Sequence, residues 1–186
     1  MTVIASAAMH FEHPVTDEAD RAALREATAA LDEAERERRP IHMVQALTAV
    51  ARCYRRLQAL ASAEADLEAA LRWARAAQLR DGEIELLCDL ADVTVHRAWQ
   101  DEARQPGSGR AARERARDHA FQARNLAARM ADPHAEVHVL LRVGDVLMRC
   151  GDHDDAERIH ARALSLMSLP EVTEIFDSQS MPLDEV

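Results

Sequence analysis

A pattern that returns at a fixed interval of about 40 residues constrains this chain more than any other feature. Leu47, Val50, Ala51 and Tyr54 stand at i, i+3, i+4 and i+7, the spacing of one helix face. A second run follows, with Ala63, Leu67, Ala70 and Leu71 on one face. The same two runs recur as Leu140, Val143, Gly144 and Leu147, then Ala156, His160, Ala163 and Leu164. Between them stand Leu87, Leu90, Ala91 and Thr94, then Ala116, Ala120 and Ala123. The step from Leu47 to Ala70 equals the step from Leu140 to Ala163. The step from Leu87 to Ala123 is longer, because a stretch that includes Gln105-Pro106-Gly107-Ser108-Gly109 is inserted at the turn. Ala30 to Ala70 and Ala123 to Ala163 span the same full period, and Ala23, Ala27, Ala30 and Leu31 match the second run alone. A fixed period of this size means stacked supersecondary units that bury their apolar faces on one another.

Composition says which units. Apolar residues are 48% of the chain but aromatics only 3%, and Ala is about a fifth of it, so the core must be built from small side chains that let helices approach closely. Strands want β-branched and aromatic residues, whereas Ala is the best helix former. The expectation is all-α, with helices near 18–38, 41–57, 60–78, 83–103, 110–131, 134–150 and 153–167. Arg39-Pro40 and Asp132-Pro133 separate the first helix from the second and the fifth from the sixth, and Gly151 closes the sixth. Three parts follow: an irregular or partly capping segment at 1–17, a helical repeat domain at 18–169 and an acidic tail at 170–186. Glu171, Glu174, Asp177, Asp184 and Glu185 make the tail acidic with no base, and a short cap helix is expected around Glu171 to Phe176.

The repeat resembles the tetratricopeptide repeat family, in a long-helix variant, over residues 19–169. The third unit carries the resemblance best, through Gly144, Gly151, Ala156, Ala163 and Pro170. Leu67, Ala120 and His160 stand where that family has an aromatic on the second helix. The resemblance implies a right-handed α-solenoid of antiparallel helix pairs, about seven helices in all, whose first helices line a concave groove. It implies a protein–protein interaction module, an adaptor or scaffold that holds a partner's protein or peptide segment there. The alternative is a regulatory sensor whose groove takes a small peptide or ligand.

The groove residues expected from helix phase are Gln45, Thr48, Arg52, Arg55 and Arg56 on the first such helix. On the second they are Glu85, Cys88, Asp89, Asp92 and His96. On the third they are His138, Leu141, Arg142, Asp145, Met148 and Arg149. Arg suits bidentate capture of carboxylates, and Arg52 and Arg56 lie one turn apart. Apolar contacts around Leu141 and Met148 are expected to supply affinity. The array begins with a helix of the second kind, so its uncovered face meets either residues 1–15 or another copy. That helix and the acidic tail are the expected routes to a homodimer.

Other functions fit poorly. The chain carries 23 bases, all of them Arg, against 33 acids, a formal charge of −10, which disfavours nucleic acid. There is no Gly-rich phosphate loop or nucleophile elbow, and no enzyme activity or cofactor is expected. Asp154 and Asp155 open a helix, where acids favour the dipole. His134 and His138 at i, i+4 are the weak candidates for a metal, against a reading as ordinary solvated side chains. No apolar run approaches a membrane span, and Val3 to Met9 lacks the preceding base of a secretory signal. Cys53, Cys88 and Cys150 are odd in number and far apart, as expected of reduced thiols in the cytoplasm.

Overall fold

The computed structural model describes residues 14–168, with side chains from residue 18 onward. Seven helices fill this range: α1 Pro14–Glu37, α2 Pro40–Arg56, α3 Leu60–Ala76, α4 Arg80–Arg104, α5 Arg110–Ala127, α6 Pro133–Cys150 and α7 His153–Met167. No strand occurs among the described residues. Each helix packs on the next, α4 also packs on α6, and α2 touches α4. The outer helices α3, α5 and α7 make no comparable contacts with one another. An array whose inner helices touch while its outer helices splay is curved, with α2, α4 and α6 on the concave side. The chain is thus an all-α helical repeat solenoid.

Three boundaries differ from the sequence reading by three or four residues: α1 opens before 18, α4 opens at Arg80 and not 83, and α5 closes at Ala127 and not 131. The first helix opens at Pro14, inside the segment 1–17 expected to be irregular. Proline is at home in a first helical turn, where its missing N–H has no intrahelical acceptor to lose. The remainder of that segment, the acidic tail and its expected cap helix lie outside the described residues.

The repeat is built from turns spaced at half its period. Arg38, Gln58 and Gln78 all adopt positive φ, at 52°, 58° and 57°, just past the ends of α1, α2 and α3. The hydrogen bonds repeat too: Ala59 N donates to Tyr54 O at 2.9 Å, and Leu79 N to Ala74 O at 2.9 Å. In the third unit the same position is Gly151, φ 89°, the residue type that carries no Cβ penalty there. The inserted residues do not form a long loop. α4 runs 25 residues against 17 in α2, and Glu102 closes a tight turn by accepting from Gly107 N at 2.7 Å and Gly109 N at 3.2 Å. The Gly107 hydrogen bond chiefly holds the Glu102 carboxyl below its ordinary range.

Small residues form the seams. Every buried residue of α5 is Ala: Ala112, Ala116, Ala120, Ala123 and Ala127. α4, surrounded by α2, α3, α5 and α6, buries Leu87, Leu90, Val93 and Val95 completely or nearly so. A Cβ built on Gly144 would stand 2.9 Å from His160 Cε1 and closer still to two other ring atoms, so α6 presents bare backbone to the His160 ring. The half-buried His160 ring of α7 thus packs directly on the α6 backbone. One carboxylate is buried between layers: Glu64 on α3 receives Arg97 Nη1 of α4 at 2.6 Å and Arg115 Nη2 of α5 at 3.3 Å.

Candidate functional site: the concave groove

The inner helices enclose a cavity of about 570 Å³. Val44, Thr48, Arg52 and Arg55 line it from α2, and Glu85, Leu86, Cys88, Asp89 and Asp92 from α4. His138, Arg142, Asp145, Val146 and Arg149 line it from α6. Most of the residues expected from helix phase are thus brought together.

Their charges are organised by a repeated stagger between α4 and α6. Arg142 on α6 donates to Glu85 at 2.9 Å and to Asp89 at 2.6 Å, two carboxylates one turn apart on α4. Two turns on, Arg149 pairs with Asp92 and reaches His96 Nε2 at 3.1 Å, again one turn apart on α4. From the opposite wall Arg55 of α2 donates to Asp92 at 3.0 Å. Burial alone would depress the Arg142 guanidinium, but its hydrogen bond to Asp89 and the surrounding carboxylates outweigh this and hold it above its ordinary value. Such half-exposed pairs contribute about 0.5–1 kcal/mol each. Their larger effect is to fix the groove walls against one another.

The arginines expected to seize a partner are therefore mostly engaged already. Arg52 is the exception: it is exposed, lines the cavity and makes no hydrogen bond or ion pair among the described residues. Asp145 stands across the groove, 75% exposed, with His160 Nε2 3.8 Å away. Arg56 faces elsewhere and pairs with Asp20 of α1 at 2.9 Å. Gln45 is exposed on α2 but stands outside the cavity lining, as do Leu141 and Met148 on α6. Cys88 lines the groove yet is 3% exposed, and burial pushes its thiol up to about 12. That is the opposite of the depressed value a reactive thiolate requires.

Sequence reasoning missed one corner. The extension of α4 places Trp99 at the end of the groove, where its Nε1 donates to Arg149 O at 3.3 Å. Its ring meets His96 edge-on at 6.0 Å and has the Arg149 guanidinium 6.0 Å from its centroid. With Arg55, Arg56, Gln58, His96 and Gln100 it lines a second cavity of about 530 Å³. An exposed Trp less than one turn after a groove His was the available signal.

His138 lines the groove, whereas His134 sits in the first turn of α6, its backbone N–H capped by Asp132 Oδ1 at 2.9 Å. Among the described residues no group of three or more His, Cys, Asp or Glu side chains converges as a metal site. No helix among them is long and apolar enough to cross a membrane.

No family model matches the chain, and no curated protein matches it by sequence. Several solved structures are similar in part, two of them as follows. One, titled "DHF58 filament", is 22% identical with a TM-score of 0.46, covering 91% of this chain and 88% of that chain. The other, the crystal structure of BtubC (BKLC) from P. vanneervenii, is 15% identical with a TM-score of 0.38, covering 91% of this chain and 79% of that chain.

Proposed function

We propose that the chain is a tetratricopeptide-like adaptor or scaffold that holds an extended segment of a partner protein in the α2–α4–α6 groove. One observation carries the reading: the groove has charge-paired walls, an apolar floor of Val44, Leu86 and Val146, and one cation, Arg52, that is uncommitted among the described residues. A partner carboxylate near Arg52 gains a charge-assisted hydrogen bond without displacing an internal pair. Trp99 at the groove end offers an amphipathic surface for a partner aromatic or aliphatic side chain. The reading is of a binding module, and it is supported by three of the four groove acids, Glu85, Asp89 and Asp92, each being engaged by an arginine. A cytoplasmic setting goes with it, since Cys53, Cys88 and Cys150 are unpaired.

The test is selection of peptides from a displayed random library on immobilised protein, followed by fluorescence anisotropy. Enriched peptides should share an acidic residue. Arg52→Glu should weaken them at least tenfold, about 1.4 kcal/mol, with the fold intact. Failure to enrich any peptide, or equal affinity for Arg52→Glu, would overturn the reading.

A further inference from the structure

The repeat itself shows which residues of the array lack a neighbour among the described residues. Cys88 and Val95 on α4 are 3% and 0% exposed, with α6 packed beside them. Their counterparts one repeat on, Leu141 and Met148 of α6, are 39% and 43% exposed. Leu71 of α3, which packs on α4, is 6% exposed, and its counterpart Leu164 of α7 is 63% exposed. The direction is set by a third counterpart: Arg55 of α2, in register with Val95 and Met148, reaches Asp92 on the next inner helix. So Leu141 and Met148 point along the array, to where the next inner helix would stand. Of the six large apolar side chains exposed among the described residues, these three gather at one end.

We infer that this open end, formed by α6 and α7, is where two copies of the chain associate face to face about a twofold axis. Three observations favour a second copy. The first is area. α6 and α7 have 18 and 15 residues. Two helices about 25 Å long and about 10 Å apart offer roughly 500 Å² per copy, and the doubled figure of about 1,000 Å² meets the lower bound for a specific interface. The second is charge. The chain carries −10, so self-association is opposed wherever acids face each other. On this face α6 shows His138, Leu141, Asp145 and Met148, and α7 shows Glu157, Ala161, Leu164 and Ser168. Its exposed acids are Asp145, Glu157 and the neighbouring Asp154, with Arg158 beside the last two, and Glu157 stands two turns away from Leu164. The third is the opposite end. The outward positions of α1 are Ala22, Ala29, Ala30, Glu26 and Glu33, small and acidic, and give no comparable apolar row. An isologous contact uses the same patch on both copies and closes on itself, so the product is a dimer. It reaches His138 and Asp145 at the α6 edge of the groove but leaves the groove residues of α2 and α4, Arg52 among them, outside the contact.

The full chain should sediment at equilibrium as a reversible dimer of twice its 20.7 kDa. Leu141→Glu with Leu164→Glu should raise the dissociation constant at least about 100-fold, since both are central apolar anchors, while the circular dichroism of the helices is retained. Should that pair reduce helicity, Leu164→Ser alone, at the most exposed of the three positions, should still weaken the dimer. Ala161→Cys should form a disulfide-linked dimer on oxidation that wild type does not. A monomeric wild type overturns the inference. So does dissociation by Ala22→Glu/Ala29→Glu on α1, or by removal of residues 170–186 when the Leu141/Leu164 pair has no effect, because another surface would then be the contact.

Discussion

Gly144→Ala sets two physical effects against each other, and the structure decides which wins. Alanine in a helix interior is worth about 1 kcal/mol over glycine, so propensity alone predicts stabilisation. The new methyl, however, would fall 2.9 Å from His160 Cε1 and nearer to the other ring atoms, against the ~3.5–4.0 Å at which carbon contacts are favourable. The His160 side chain is 34% exposed, so it has room to swing towards solvent and lose its packing against α6. Overpacking costs about 1–3 kcal/mol, and contacts this short belong at the upper end. The net effect is a loss of about 2 kcal/mol, which lowers the melting temperature by roughly 4–8 °C in a chain of this size. The double-mutant cycle isolates the cause. In a His160→Ala background the clash is gone, and Gly144→Ala should stabilise by about 1 kcal/mol, giving a coupling near 3 kcal/mol. Thermal and urea melts followed by circular dichroism measure all four corners. Stabilisation by Gly144→Ala in the wild-type background would show that the ring is not held against the α6 backbone.

Two further outcomes follow from the outer layer. Glu64→Gln keeps the shape of the buried side chain but removes the charge that Arg97 and Arg115 share. Those arginines are 36% and 44% exposed and regain water, so the loss should be about 1–2 kcal/mol in urea unfolding; no change would mean the bridge is energetically idle. His119 is chiefly depressed by burial, with Arg115 pushing the same way and Glu64, Glu68 and Asp118 opposing. The folded state therefore takes up this proton at lower pH than the unfolded chain. Stability from neutral His119 is full above the ordinary value near 6.5 and is lost as pH falls through the depressed folded value. Replacing His119 with Asn should flatten stability against pH on the acid side of that ordinary value, and parallel curves would refute it.

The fold was legible because its signal is redundant. Ala30, Ala70, Ala123 and Ala163 mark the same place in four successive outer helices, so the insertion between α4 and α5 shows as an offset and not as noise. Helix phase also identified the groove walls. What it could not identify was which groove residues are already occupied. Arg142 on α6 meets Glu85 on α4, and Arg56 on α2 reaches back to Asp20 on α1; no local pattern specifies pairs between helices. The placement of Leu141 failed for a related reason. One position along a helix turns a side chain by about 100°, and whether residue 141 or 142 enters the groove depends on the rotation of α6 against α4, which the Arg142 bridges set. The positive φ of Arg38, Gln58 and Gln78 was invisible because none is Gly or Asn, the residues that announce such turns.

That all the bases are Arg has a structural counterpart in the groove. Arg142 and Arg149 each bridge two groups one turn apart on α4, a geometry that a planar fork of donors meets with a single side chain. A Lys ammonium is a point charge that favours one acceptor and leaves the other to water. Two such bridges, two turns apart on both helices, lock α6 to α4 in rotation as well as distance. The groove walls are therefore ordered within the chain itself, and a segment bound as proposed would meet fixed side chains and would not have to order them. The same lock turns Leu141 and Met148 away from the groove and onto the open end of the array. One set of arginine bridges thus defines both surfaces: a charge-lined concave groove in which Arg52 has no partner among the described residues, and an apolar face on α6 and α7 at the end of the described array.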